Sequence, residues 1–375
     1  MPMTRAVLLG VEARSLVNFR RDIIAILTQE HEVHVVARAA SPDEERVIAQ
    51  LGAILHKLPM ARTGMNPLRD LFMLVGLVKL LRRLRPNYLL AYTSKPVIFG
   101  TLAGWLARVP VRVAMITGLG YSFIKGDEPK RKFARKVSIF LYGLALPLCT
   151  SVIFQNPDDR DEFRQLGLLK NVNQVHVVNG SGVDVSQFTS APLPNGPVFL
   201  MIARLLVDKG SREYGAAAKI VRQAMPSVKC QLLGPLDPSP NGLKADELEA
   251  LKLDGLEYLG ETDDVRQVIA AASIIVLPSY REGTPRSVLE GMAMGRAIIT
   301  TDVPGCRETV VNGVNGLLVP VRNADALAQA MIKLAKAPDL IKAMGRESRR
   351  IAVEKYDAKV VALDTLQKAG ILLRK

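Results

Sequence analysis

Short, largely apolar runs alternate with longer stretches of helical period along most of the chain. Residues 6–9, 33–37, 53–56, 88–92, 111–116, 152–154 and 174–178 read as strands, most of them apolar enough to be buried on both faces. Residues 16–27 carry apolar side chains at 16, 19, 23, 24 and 27, the spacing of one helix face. Helices are expected likewise over 43–51, 67–84, 97–107, 131–146 and 157–166. Strand then helix at this spacing specifies right-handed βαβ units and a parallel sheet covered on both faces. Residues 191–197, APLPNGP, break the rhythm with three prolines and a glycine and read as a linker. A second series follows at once, with strands at 198–202, 228–233, 256–259, 274–277 and 297–300. Its helices are expected at 213–224, 243–253, 263–271 and 287–294, and the tail from 324 is helical, divided by Pro338.

The expected fold class is therefore α/β: two doubly wound, Rossmann-like parallel-sheet domains facing each other across a cleft. Their boundaries fall at residues 1–190 and 198–354, with a last helix, 355–375, that could return to the first domain. In such sheets ligands bind in the crevice at the carboxyl ends of the strands. A length of 375 residues suits two cores rather than one. Three scattered cysteines, Cys149, Cys230 and Cys306, point to a reducing compartment and away from structural zinc. The first fifteen residues hold too short an apolar stretch for a signal peptide. Residues 137–154 carry no charge over eighteen positions, but Pro147 divides them, which favours a helix and a buried strand over a membrane span. The formal charge of +14 is uneven, +10 up to residue 185 and +4 beyond. A basic first half calls for an anionic partner such as nucleic acid, acidic lipid or a phosphorylated substrate.

Candidate chemistry gathers in the second half. The strand at 274–277 stops at Pro278, a loop with Gly283 and Pro285 follows, and a helix starts near Ser287. Strand, loop and helix N-terminus make an anion seat, because unpaired N–H groups and the positive dipole end face the crevice. Glu282 and Glu290 frame the turn, both able to reach a ligand held there. A plainer alternative makes Glu282 a helix starter and Glu290 part of a solvated face. Arg204 and Lys209 follow the strand at 198–202, placed to clamp a diphosphate, or else simply exposed loop cations.

Four ordered segments carry a family likeness: ARLLVDKG, YLGETDDV, PSYREGTPRSVLEGMAMGRAIITTDVPGCRETV and NGLLVP. They resemble the retaining family-4 glycosyltransferases of GT-B fold, including that family's pair of glutamates, here Glu282 and Glu290. In the first half, the Gly118-Leu119-Gly120 turn resembles the bacterial branch that extends lipid-linked sugars for N-glycans or O-antigen. The resemblance implies transfer of a sugar, an N-acetylhexosamine in that branch, from a UDP-sugar to a polyprenyl-diphosphate-linked saccharide. It implies that Arg204 and Lys209 neutralise the departing diphosphate, that Glu290 holds the ribose, and that Glu282 bonds a hydroxyl of the sugar. Across Gly283, Thr284, Pro285, Arg286 and Ser287 the backbone amides would hold sugar and phosphate oxygens, and the base would rest near Tyr258 and Glu261. In the first domain, Ser15, Asn18, Thr117, Gly118 and Gly120 are the candidate cleft residues. With no evident nucleophile, the leaving phosphate can itself take the acceptor's proton on the same face.

The chain departs from the family pattern in three places. Thr284 stands where many members have an aromatic residue, Gly10 is alone where many have a glycine pair, and the loop just after the fifth strand, residues 116–120, holds no histidine. A histidine base is therefore not expected. Neither is a cofactor or a metal: Asp159-Arg160-Asp161 has the DxD form but opens a helix, where acids serve the dipole. Residues 125–136, with six Lys/Arg ahead of an apolar stretch, and residues 68–84 could each lie on anionic lipid, or be core-facing helices with solvated basic ends. The expected location is cytoplasmic, peripheral at the inner face of a bacterial cytoplasmic membrane. Two rivals remain. A sugar-nucleotide epimerase of the same fold needs acid–base groups in its site, which no crevice histidine supports, and few aromatics and the absence of any recognisable motif count against a basic nucleic-acid-binding protein.

Overall fold

The computed structural model describes residues 3–61, 66–119, 123, 129–239 and 241–371, the side chain of Lys130 aside. The chain divides into two units, residues 1–182 with 358–375, and residues 183–357. In the first, the strands are β1 (Thr4–Leu9), β2 (His31–Ala37), β3 (Ile54–Lys57), β4 (Tyr88–Tyr92), β5 (Val111–Ile116), β6 (Ser151–Phe154) and β7 (Val175–Val177). They pair in parallel throughout, in the order β3-β2-β1-β4-β5-β6-β7. Its helices are α1 (Ala13–Phe19), α2 (Arg21–Leu27), α3 (Pro42–Gln50), α4 (Pro67–Leu84), α5 (Thr101–Leu106), α6 (Pro129–Ala145) and α7 (Pro157–Gln165).

The second unit repeats the plan with β8 (Val198–Ile202), β9 (Lys229–Leu233), β10 (Glu257–Tyr258), β11 (Ile274–Leu277), β12 (Ala297–Thr301) and β13 (Gly316–Val319). These too are all parallel, in the order β10-β9-β8-β11-β12-β13. Its helices are α8 (Ser211–Ala224), α9 (Ala245–Leu253), α10 (Arg266–Ala270), α11 (Arg286–Ala293), α12 (Ala324–Ala335) and α13 (Pro338–Lys355). The last helix, α14 (Ala358–Lys368), belongs to the first unit, where Ala362 and Leu366 share a core with Leu27. Lys368 secures it there, its ammonium donating to the Val177 carbonyl at 2.9 Å. The central strands are almost wholly apolar because helices bury both faces, so the expected two-sheet α/β class is the observed one.

Four details differ from the expectation. The helix over 16–27 breaks at Arg20 (φ −130, ψ 10), whose buried guanidinium turns back over the Tyr92 ring at 4.9 Å. The helix over 97–107 opens with a π-helical turn, Pro96–Gly100. Strand β13 lies within NGLLVP, a run too short to stand out. The segment 191–197 is not a free linker, because Ala191 and Leu193 pack against the second unit's core, which Val183 and Phe188 just before it also join. Arg349 there donates to the carbonyls of Phe188 (2.7 Å) and Val185 (3.1 Å), and Arg296 to that of Pro192 (3.2 Å). Residues 137–154 form the end of α6, a 3-10 turn and β6, and no helix among the described residues is long and apolar enough to cross a membrane.

One polar chain runs across the first sheet. His34 Nδ1 lies 2.9 Å from His56 Nε2, and His34 Nε2 lies 3.0 Å from Glu32, which Arg5 also holds at 3.0 Å. Burial lowers the proton affinity of both histidines; Glu32 opposes this at His34, while Arg5 and Arg83 add to it there and Arg83 does so at His56. As pH falls through about 6.5, unfolded imidazoles take protons that the folded ones refuse, so acid favours unfolding. Melting temperature is expected to drop between pH 7.5 and 5.5, and to drop less in His34→Asn/His56→Gln. Equal slopes in the two proteins would contradict this.

Candidate active site

Strand β8 is the apolar run VFLMI, and the chain leaves the sheet at Ala203 and Arg204. A 3-10 turn, Val207–Lys209, brings it back to Gly210 at the start of α8. Gly210 has φ 78, and a Cβ there would lie 2.1 Å from the carbonyl oxygen of Pro278, just past β11. Only glycine meets both demands. The loop after β11 is stitched to this turn: the Tyr280 N–H donates to the Asp208 carbonyl at 2.8 Å, and Ser279 Oγ to the same oxygen at 3.1 Å. The loop after β12 closes from the other side, where the Glu282 N–H donates to the Pro304 carbonyl at 3.0 Å. A Cβ on Gly305 would sit 2.2 Å from the Glu282 carbonyl oxygen, so the two loops touch backbone to backbone. Neighbours β8 and β11 mark the point where the crossovers diverge to opposite sides, which opens a crevice at their carboxyl ends.

Lys209 and Glu282 meet at that point, Nζ to Oε1 at 2.5 Å, with both side chains mostly buried. Cys306 is fully buried beside them, its thiol pushed up to about 12 by burial and then by the Glu282 carboxylate. It is a packed thiol rather than a nucleophile. Tyr280 is held from two sides, its hydroxyl donating to Glu213 at 2.6 Å and the Arg322 guanidinium lying 4.6 Å over its ring. Burial and the Glu213 acceptor push that phenol up to about 12.

Helix α11 follows Pro285, its N-cap, with no side-chain cap and no acid in its first turn. The positive end of its dipole therefore meets the 279–285 loop unopposed from within the helix. Glu290, one turn on, is only 9% exposed, which rules out the solvated-face alternative. Burial raises its carboxyl above the usual range, and Arg286 Nε, at 2.8 Å, opposes that rise. Gly283 and Pro285 are buried and Thr284, Arg286 and Ser287 half-buried along the turn into this helix. Arg204 is exposed and donates to Asp237 at 2.7 Å, a carboxyl held below its usual range by Ser239 and this guanidinium. Neither Arg204 nor Lys209 is a bare cation, and Lys209 is not an exposed loop residue.

Tyr258 and Glu261 lie elsewhere on the second unit. Half-buried Tyr258 ends β10 and donates to the Gly234 carbonyl at 3.0 Å, while Glu261 is exposed. Strand β10 is two places from β8, about 10 Å at ordinary strand spacing, so these two do not join Lys209 and Glu282 directly. In the first unit, Ser15 on α1 donates to the Tyr92 hydroxyl at 2.9 Å, a buried phenol pushed up to about 12. Asn18 is exposed on the same helix, and half-buried Thr117 and Gly118 follow β5, at the carboxyl edge of that sheet. Gly120 lies outside the described residues. The DxD pattern is taken up locally: Asp159 accepts from the Asn156 amide at 3.1 Å, and Asp161 pairs with Arg160 and Arg164 at 2.9 Å each. No group of three or more His, Cys, Asp or Glu among the described residues could hold a metal ion.

Sequence reasoning missed Asp208, Glu213, Tyr280 and Asp237. Asp208 and Tyr280 lie within the family-like segments, beside residues that do stand out. Glu213 and Asp237 act through partners 67 and 33 residues away, and no local pattern marks them.

Residues 196–337 match the family described as glycosyl transferases group 1, and residues 19–180 match the glycosyl transferase 4-like domain. The chain is 30% identical over 365 residues to a Campylobacter jejuni protein, N,N'-diacetylbacillosaminyl-diphospho-undecaprenol alpha-1,3-N-acetylgalactosaminyltransferase, covering 93% of each. It is 24% identical to an Escherichia coli UDP-Gal:alpha-D-GlcNAc-diphosphoundecaprenol alpha-1,3-galactosyltransferase, covering 87% of this chain and 84% of that one. Among solved structures it superposes on Anabaena HepE in complex with UDP and glucose with a TM-score of 0.77, at 18% identity over 99% of this chain and 100% of that one. It superposes on the sucrose-phosphate synthase of Thermosynechococcus elongatus with a TM-score of 0.78, at 18% identity over 97% and 98%.

Proposed function

The chain belongs to the group 1 glycosyl transferases, and we propose that it moves a sugar from a UDP donor to a polyprenyl-diphosphate-linked saccharide. The reading is carried by similarity along 93% of both chains to a transferase whose name gives an undecaprenyl-diphosphate acceptor. The sugar is an N-acetylhexosamine, and its anomeric configuration is retained. The bond from the anomeric carbon to the donor phosphate breaks, its electron pair staying on the phosphate oxygen. The acceptor hydroxyl bonds that carbon on the same face and gives its proton to the departing phosphate. Lys209, Arg204 and the N-terminal amides of α11 stabilise the charge that collects there. Glu290 holds the ribose, Glu282 a sugar hydroxyl, and the base rests near Tyr258 and Glu261. Ser15, Asn18, Thr117 and Gly118, in the first unit, serve the acceptor.

The test is a panel of UDP-sugars with a polyprenyl-diphosphate-linked saccharide, read by product mass. The expected product is heavier by one N-acetylhexosamine unit. Donor interconversion without acceptor, or no turnover of any donor, would overturn the reading.

The acceptor's lipid also gives the enzyme a membrane to work on. Helix α4 buries Met73, Leu77 and Leu81 against the sheet but leaves Leu68 69% and Phe72 77% exposed. Helix α6 exposes Phe133 at 63% and Phe140 at 64%. Both helices pack on the π-helical turn Pro96–Gly100, and exposed Arg69, Arg82, Arg83, Lys132 and Lys136 lie along them. Aromatic tips enter the acyl boundary while basic groups meet the anionic headgroups, each contributing about 1 kcal/mol near the surface. On this reading the protein sits peripherally on the inner face of the cytoplasmic membrane. Phe72→Ser/Phe140→Ser/Lys132→Glu is expected to abolish co-sedimentation with phosphatidylglycerol vesicles while leaving the melting temperature within a few degrees. Undiminished co-sedimentation would count against lipid docking.

A further inference from the structure

The Lys209–Glu282 pair has a third member. Asp208 lies on the same 3-10 turn, half-buried, its backbone oxygen accepting from Ser279 and Tyr280 and its carboxyl accepting from Asn241. Its Oδ1 is buried and meets no hydrogen-bond donor among the described residues. Lys209 is the cation acting on that carboxyl, and Glu282, which shares the same ammonium, is the anion acting on it. Of the other ionisable groups around the turn, Cys306 is a neutral thiol and Tyr280 a neutral phenol bound to Glu213, with Arg322 over its ring. Arg204, on the preceding loop, is paired with Asp237. The Lys209 ammonium thus acts on two carboxylates in a mostly buried site.

We propose that Asp208 takes up a proton from solvent when a nucleoside diphosphate binds beside Lys209, and returns it when the nucleotide leaves. The inference rests on the reading of this site as the donor's. An arriving diphosphate draws the Lys209 ammonium to itself and adds negative charge of its own. Asp208 and Glu282 then feel less of that ammonium and face a new anion. Like charges in a desolvated site raise proton affinity, and coupled groups take the proton where the cost of staying charged is greatest. Asp208 is that group. Burial already raises its carboxyl above the usual range, while Lys209 and Asn241 oppose this, and its Oδ1 has no donor to lose. A proton on Oδ1 removes one negative charge facing the phosphates and turns an orphaned acceptor into a donor. Donor binding would therefore tighten as pH falls, and product release would be favoured as it rises.

The experiment is calorimetric titration of the full chain with UDP at pH 7.5, in two buffers of different ionisation enthalpy, for wild type and Asp208→Asn. The terminal phosphate of UDP has its own proton equilibrium, common to both proteins, so the difference between them isolates the carboxylate. Wild type is expected to take up more protons per UDP than Asp208→Asn, the excess being about half a proton or greater. Its UDP affinity should also fall with pH more steeply, by up to about tenfold per unit. Equal proton counts, with UDP still bound by both, would overturn the proposal and leave the donor-site reading standing. No binding of UDP to the wild type would overturn both. Asn241→Ala provides a second substitution should Asp208→Asn not fold. Removing the hydrogen bond that Asp208 accepts should move the uptake to higher pH, and an unmoved profile counts against the proposal.

Discussion

Lys209→Ala is expected to lower kcat/KM for sugar transfer about 10²–10³-fold, the loss typical of one preorganised donor to a developing oxyanion, about 3–4 kcal/mol. The size follows from where the lysine sits. Its turn is fixed by Gly210 against Pro278 and by Asp208 against Ser279 and Tyr280, so the ammonium needs little reorganisation as charge develops. It is mostly buried, where a charge interaction is screened far less than at the surface. The phosphate is more negative in the transition state than in the bound donor, so the loss should fall mainly on kcat, with KM changed less. Glu282→Gln keeps the volume and a hydrogen-bonding group but loses the charge, and a comparable loss of transfer is expected from it. Initial rates, with melting curves to confirm folding, decide the matter. Either substitution leaving activity within about fourfold of wild type (under ~1 kcal/mol) would remove that residue from the machinery.

Gly210→Ala is expected to act on the fold itself. An L-residue in the left-handed region costs about 1–2 kcal/mol, and the new methyl group would overlap the Pro278 carbonyl, a backbone atom that no rotamer change can move aside. Overpacking of this kind costs about 1–3 kcal/mol more, which lowers the melting temperature on the order of 10 °C. Gly313→Ala is the control. Its φ is also positive, at 83, but nothing lies within 4 Å of a Cβ there, so a fall of only a few degrees is expected. Equal shifts for the two would show that close contact between the β8 and β11 loops is not what fixes Gly210. Because the same contact positions Lys209, Gly210→Ala protein that remains folded should also lose transfer activity.

Lys209 and Gly210 mark how far the sequence could be read. Strands such as β8 and β11 are short apolar runs whose burial follows from composition, and parallel order follows from the alternation with helices. The family likeness rests on segments that are contiguous in the chain. What could not be read is set by contacts between distant residues. Arg20 interrupts a helix with its guanidinium over the Tyr92 ring, 72 positions on, and the proline-rich segment is held at Pro192 by Arg296 from far along the chain. Within the site, Lys209, Glu282 and Glu290 stand out by spacing. Their charge balance does not, because it depends on Asp208, Asp237 and Arg286 and on how deeply each group is buried. A residue's type signals its possible chemistry, whereas its partner and its depth decide which protonation state it keeps.

The most direct measurement is a crystal structure with UDP bound. The terminal phosphate is expected within hydrogen-bond reach of Lys209 Nζ and of the backbone between 283 and 287, with the ribose against Glu290. A nucleotide held elsewhere on the second unit, with the Lys209–Glu282 pair undisturbed, would contradict it.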